Sequence, residues 1–178
     1  DAEEDGRKVI VFSFFLDTVE KVSRLLGERC MPVITGAIPP ARRQEILDEF
    51  EAAPAGAVLV AQIQSGGTGL NIQTASVVVL CEPQFKPSIE NQAISRAYRM
   101  GQARNVLVYR LLCEESIDER ITEMLADKQA IFDAFADKSV SAAATAKEEI
   151  AIDDKTMGKL IEAEIERINI KHQSEGES

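Results

Sequence analysis

Three short apolar runs constrain this chain more than anything else in it. Residues 8–12 (KVIVF), 57–61 (AVLVA) and 77–80 (VVVL) are β-branched and carry no polar residue at every second place. Strands that lack this alternation are buried on both faces, which is the situation in a parallel sheet covered by helices. Residues 106–112 read as a further strand, and residues 31–34 as a short one. Between the strands the period changes. Val19, Val22, Leu25 and Leu26 repeat at helical spacing up to Gly27, with Asp17 and Glu20 in a D-x-x-E capping pattern. Ile46, Leu47 and Phe50 do the same over residues 42–50, after a loop at residues 36–40 that holds two prolines. Residues 88–100 form a third helix, stopped by Gly101. Ser116 and Glu119 open a long helix in a second capping box, running to about Phe135. Alternating strands and helices of this length predict an α/β layer fold with a mainly parallel sheet over residues 7–135.

The remainder reads differently. Residues 136–147 are rich in Ala, Ser and Thr and read as a linker. Residues 148–170 form a helical extension, with Leu160, Ile161, Ile165 and Ile168 on one side. Residues 171–178 are polar and are expected to be disordered. His172, the only histidine, falls there and is expected to be solvated.

The net charge is −10, which at first argues against nucleic acid. Its distribution reverses that reading. From Arg7 to Leu112 there are 12 Lys and Arg against 9 Asp and Glu; elsewhere there are 8 against 21. From Asn91 to Cys113 no acid occurs, while Arg96, Arg99, Arg104 and Arg110 all do. Phosphate binding depends on such local cation density. Cys30, Cys81 and Cys113 lie too far apart for a zinc spacing and read as small buried thiols in a reducing compartment. No apolar run approaches the ~18 residues of a membrane span, and the acidic opening is unlike a signal peptide. The localisation expected is cytoplasmic, nucleoid-associated in a bacterium. The first residue is not Met, so the expectation is a piece of a longer protein.

Two stretches carry chemistry. Gln92, Arg96 and Arg99 lie at i, i+4 and i+7, so one helical stripe presents an amide and two guanidiniums. Ile89, Ala93, Ala97 and Met100 form a separate apolar stripe. Paired planar guanidiniums suit a γ-phosphate; spacing alone fits an ordinary solvated face as well. Residues 61–71 (AQIQSGGTGLN) follow a strand, and Gly66, Gly67 and Gly69 let backbone N–H groups approach a phosphate. Spacing alone also fits a tight turn with no ligand. Tyr98 and Tyr109 are expected to pack rather than to stack on bases.

Taken in order, these stretches resemble the Swi/Snf-related branch of superfamily-two helicases. The glycine pair followed by Gly69-Leu70-Asn71 is similar to that family's motif V. Gln92, Arg96, Arg99, Gly101 and Gln102 are similar to its motif VI, followed by the V-x-V-Y-R-L strand at residues 106–111. VIVFSFF at residues 9–15 resembles motif IV, and Gly36, Arg43 and Phe50 match the family's G-x(6)-R-x(6)-F segment. SIDERITEML resembles the helix that leaves the lobe. Gln62-Ile63-Gln64-Ser65 stand where Ser-Leu-Lys-Ala is common, and Ser95 and Tyr98 where motif VI often has Asp and His.

The resemblance implies a RecA-like three-layer α/β/α lobe with a C-terminal helical extension. It implies Arg96 and Arg99 as arginine fingers, with Gln92 positioning nucleotide or water. Gly69, Asn71 and Gln102 would line the nucleotide. Ser13, Gly36, Arg43, Gly66, Gly67 and Thr68 would hold duplex DNA by its phosphates. ATP and magnesium would be held mainly by an N-terminal RecA-like lobe of the same protein, because this sequence has no G-K-[ST] phosphate loop and no Asp-Glu-x-His motif. The implied parent is a DNA-dependent ATPase with no membrane partner, and the chain alone is expected to be inactive. Two alternatives are a non-catalytic nucleic-acid- or protein-binding module and a self-sufficient nucleotide-using enzyme.

Overall fold

The computed structural model describes residues 2–67, 72–98, 105–113, 116–136 and 154–176. They form β1 (Val9–Ser13), α1 (Leu16–Leu26), α2 (Pro40–Ala52), β2 (Val58–Gln62), β3 (Val77–Leu80), α3 (Pro87–Ala97), β4 (Leu107–Arg110), α4 (Ile117–Ala136) and α5 (Asp154–Gly176). One-turn 3-10 helices lie at Gly27–Arg29 and Ile63–Gly67.

The strands form a parallel sheet in the order β2-β1-β3-β4. This is the α/β architecture that the unalternating runs require. Side chains of β1 show why both faces are apolar. Ile10 and Phe12 pack with Leu59, Val78, Leu80 and the α2 residues Ile46 and Phe50 on one face. Val11 packs with Val58, Val60 and Val19 of α1 on the other. Helices thus cover both faces, giving the three layers expected. After β1 the chain first moves toward the β2 side, and after β3 it moves the opposite way, to β4. The carboxyl ends of β1 and β3 therefore flank a topological switch point, where open α/β sheets place their ligands.

Several local expectations need correction. Residues 31–34 do not form a regular strand; only Cys30 and Ile34 bridge to β2. Met31 donates to Val58 O at 2.8 Å and Ile34 to Val60 O at 3.0 Å, so three residues here span two of β2 and the extra residue breaks the ladder. The Asp17–Glu20 box is not made. Helix α1 starts a residue earlier, with Phe15 at the N-cap and no side-chain cap bond; Asp17 lies inside the first turn, where its negative charge complements the positive end of the helix dipole. The proline loop is shorter than expected, because Pro40 serves as the first residue of α2. Gly27 ends α1 at φ 57°, a conformation that favours glycine.

The chain divides into two compact units, Asp1–Gln84 with Ile89–Leu111, and Phe85–Ser88 with Leu112–Ser178. In the second unit α4 packs with α5. Ser116 caps α4, accepting the Asp118 N–H at 3.1 Å and donating to Cys113 O at 2.6 Å. Helix α5 begins at Asp154 and continues to Gly176, past the expected end at residue 170, since Lys171 to Glu175 contain no proline or glycine to stop it. His172 therefore lies on a helix rather than in a disordered tail. Of the expected α5 stripe, Ile161 and Ile165 are exposed. Arg167 grips the Glu164 carboxylate at 2.8 and 3.1 Å and, with Arg120, holds its pKa below the usual range. No helix among the described residues is long and apolar enough to cross a membrane. The linker expected at residues 136–147 lies, but for Ala136, outside the described residues.

The cysteines differ in their surroundings. Burial, with Glu82 alongside, pushes the Cys81 thiol up to about 11; burial also raises Cys30, while Cys113 is exposed rather than buried as expected. Only the thiolate reacts. A maleimide at pH 8 is expected to modify Cys113 first, with the Cys81 rate climbing about tenfold per pH unit until the pH nears 11. Peptide mapping of the time course checks this, and a Cys81 rate that levels off by pH 9 contradicts it.

Candidate functional site

The predicted residues fall into two groups, one at the carboxyl ends of β1 and β2 and one on α3. The first gathers around the loop that leaves β1. Ser13 is fully buried; its Oγ accepts the Phe15 N–H at 3.1 Å and donates to a Glu82 carboxylate oxygen at 3.0 Å. The other Glu82 oxygen accepts the Phe14 N–H and lies 3.4 Å from the Gln84 amide nitrogen. From β2, the Gln62 Nε2 donates to Phe14 O at 3.4 Å. The Gln62 Oε1 accepts the Gly36 N–H at 3.2 Å and the Ser65 hydroxyl at 3.1 Å. Arg43, near the start of α2, donates to Ile38 O at 2.7 Å, Gly36 O at 3.2 Å and Ser65 O at 3.3 Å.

The structure therefore brings Ser13, Gly36 and Arg43 together with Gly66 and Gly67, which close the 3-10 turn after β2. It also gives two of them inward duties. The Ser13 hydroxyl serves Glu82 and Phe15, and the Arg43 guanidinium holds three carbonyls of the surrounding loops. Both shape the surface from beneath. Thr68, Gly69 and Asn71 lie outside the described residues.

The second group is on α3. Ala93 and Ala97 are buried against the core, with Ile89 partly buried beside them. This stripe fixes the helix and turns Gln92 and Arg96 away from it. Gln92 is exposed and Arg96 is half-buried. Desolvation lowers the Arg96 pKa from its ordinary value, though an arginine remains a cation at any working pH. Among the described residues its guanidinium has no hydrogen-bond or ion-pair partner. By contrast, Arg110 of β4 is paired with Glu90 of α3, so it adds little to the local positive field. Ile72, just after the glycine stretch, donates its N–H to Arg96 O at 3.3 Å. That bond ties Ile72 to α3. Arg99, Gln102 and Arg104 lie outside the described residues. The packing expected of Tyr98 and Tyr109 is not found: they are 60% and 54% exposed among the described residues.

Residues 2–101 match the model of the helicase conserved C-terminal domain. The chain belongs to that family. An uncharacterized ATP-dependent helicase of Mycoplasma pneumoniae is 33% identical over 133 residues, covering 74% of this chain and 13% of the relative. The DNA repair protein RAD5B of Arabidopsis thaliana is 36% identical over 142 residues, covering 78% of this chain and 11% of the relative. The SWI2/SNF2 ATPase core domain of Sulfolobus solfataricus superposes with a TM-score of 0.58 at 27% identity, over 75% of this chain and 27% of that one. The lobe is thus RecA-like and of the SWI2/SNF2 kind, and the chain spans only about an eighth of the length of these two curated relatives.

Gln62, Ser65, Glu82 and Gln84 join this cluster by their hydrogen bonds, although the sequence assigned none of them a role and showed Gln62 and Ser65 only as departures from the family's motif V. One signal was present. Glu82 is the only acid between Ala52 and Ile89, and it stands directly after an apolar strand. Among the described residues no three His, Cys, Asp or Glu side chains gather as a metal set.

Proposed function

We propose that this chain is the second motor lobe of an ATP-driven duplex-DNA translocase or remodeller. Arg96 and Arg99 reach ATP held on a first RecA-like lobe and stabilise charge on the transferring phosphoryl group, with Gln92 ordering nucleotide or water. Gly69, Asn71 and Gln102 line the nucleotide on this side. The observation that carries the reading is Arg96 itself. A half-desolvated guanidinium without a partner among the described residues is costly to keep unless an anion reaches it. Gln92 stands one turn before it, and the Ala93–Ala97 stripe fixes both. A pure binding module does not require this arrangement.

The loops after β1 and β2, with the Gly36–Arg43 segment, hold one DNA strand by its phosphates. Phosphate contacts carry no sequence information. Duplex affinity is therefore expected to fall along a log–log line against salt, with a slope of about −0.9 per phosphate neutralised, and to be the same for unrelated sequences. Titrations at several salt concentrations test this; a strong preference for one sequence contradicts it. The function itself is tested by ATP hydrolysis, with and without duplex DNA, by this chain and by the protein that carries it. The expected result is an inactive chain and a DNA-stimulated parent. Turnover by the chain alone would instead place a complete active site within it.

A further inference from the structure

We propose that Gln62 is the positioning residue that joins the three phosphate-facing segments into one preorganised surface, an inference that rests on the DNA-binding reading above. The segments are far apart in sequence: the loop after β1, the Gly36–Arg43 turn and the 3-10 turn Ile63–Gly67. Each is short and lies at or near the protein surface. Left to itself, each would sample many arrangements and lose that freedom on binding phosphate.

One side-chain amide touches all three. Its nitrogen donates to Phe14 O, and its oxygen accepts both the Gly36 N–H and the Ser65 hydroxyl. The chemistry selects glutamine. The group must donate in one direction and accept twice in another, which a carboxylate, an ammonium or an alkyl chain cannot do. It must also reach across from β2 to the loop of the neighbouring β1. Register supplies that reach, since Ser13 pairs with Gln62 itself.

Glu82 completes the grip. The Phe14 backbone is held from both flanking strands, its C=O by Gln62 of β2 and its N–H by Glu82 just beyond β3. Arg43 closes the far side by tying Gly36 O to Ser65 O. The Gly36 residue is thus fixed at both its N–H and its C=O. Gln62 is neutral, so its contribution to DNA binding is geometric. It sets where backbone donors point and adds no charge of its own.

Two measurements on the full-length protein test this. Hydrogen exchange followed by mass spectrometry reads the wiring. In Gln62→Leu, peptides spanning Gly36 and Phe14 are expected to exchange about tenfold faster, while the β3 core is unchanged. DNA-stimulated ATP hydrolysis reads the consequence. The duplex concentration for half-maximal stimulation is expected to rise about tenfold, with kcat at saturating DNA and the KM for ATP within about twofold of wild type. A brace that merely holds the fold would lower the active fraction, and so kcat, without moving half-saturation. If Gln62→Leu fails to fold, Ser65→Ala removes one of the three bonds alone, and about a threefold rise is expected. Unchanged exchange at Gly36, or unchanged half-saturation in the variant that folds, overturns the proposal. A wild-type protein indifferent to DNA sinks the functional reading and this inference with it. A stimulated wild type beside an unaltered variant sinks this inference only.

Discussion

Replacing Arg96 by alanine in the full-length protein is expected to lower DNA-stimulated ATP turnover by about 10³ or more, the usual cost of losing an arginine finger. Duplex binding without nucleotide should stay within a few-fold, because Arg96 stands on α3 and not among the loops around Gln62. The melting temperature should hold or rise slightly. Arg96 has no partner to lose among the described residues, and its removal relieves a partly desolvated charge. This combination separates a finger from a structural arginine, whose loss would lower stability and activity together. Arg96→Lys should recover little, since an ammonium lacks the planar fork that meets a phosphoryl group. Arg99→Ala is expected to act similarly, being one turn further along the stripe in sequence. Turnover within a few-fold of wild type in both variants would reject the assignment.

The sheet was legible because its strands are buried on both faces. Each apolar run became a strand within a few residues of its expected bounds, and Ile46, Leu47 and Phe50 of α2 and Ala93 and Ala97 of α3 are buried where the spacing put them. The failures are equally physical. An extra residue between Met31 and Ile34 cost residues 31–34 their ladder. Asp17 looked like a cap because the sequence does not show that α1 starts at Leu16.

The candidate site offers a sequence signal only where its chemistry is local. The arginine stripe and the glycine stretch each lie within a dozen residues, and a period or a run of glycine exposes them. The Gln62–Glu82 grip is different. It exists only because β2 and β3 both flank β1, and strand order is not written in any one segment. Likewise, Ser13 and Arg43 belong to the expected surface, yet the sequence alone could not show their polar atoms turned to Glu82 and to loop carbonyls. Residue type marked the place; topology decided the duty.

Phe50→Ala is expected to destabilise the lobe by about 3–5 kcal/mol, the usual cost of deleting a buried aromatic and leaving a cavity. Phe50 is 1% exposed, in the cluster that α2 makes with β1, β2 and β3. The loss would be a large part of the roughly 5–15 kcal/mol that holds a typical domain folded. At about 4–8 °C per kcal/mol, the melting temperature should fall by more than about 12 °C. A second variant separates packing from polar anchoring. Lys8 donates to Phe50 O at 2.9 Å and Glu51 O at 2.7 Å at the end of α2, with its ammonium 5.7 Å from the Phe50 ring centroid. Lys8→Met removes these contacts and keeps the stem, so its cost should be nearer ~1–2 kcal/mol. The functional consequence follows from Arg43, which shares α2 and holds the Gly36 and Ser65 carbonyls. Below its melting temperature, the Phe50 variant should bind duplex DNA with an affinity reduced only in proportion to the unfolded fraction. A loss beyond that fraction would mean that α2 shifts while the sheet stays folded, releasing Arg43 from the loops. A change in stability under about 1 kcal/mol would contradict the burial of Phe50 itself.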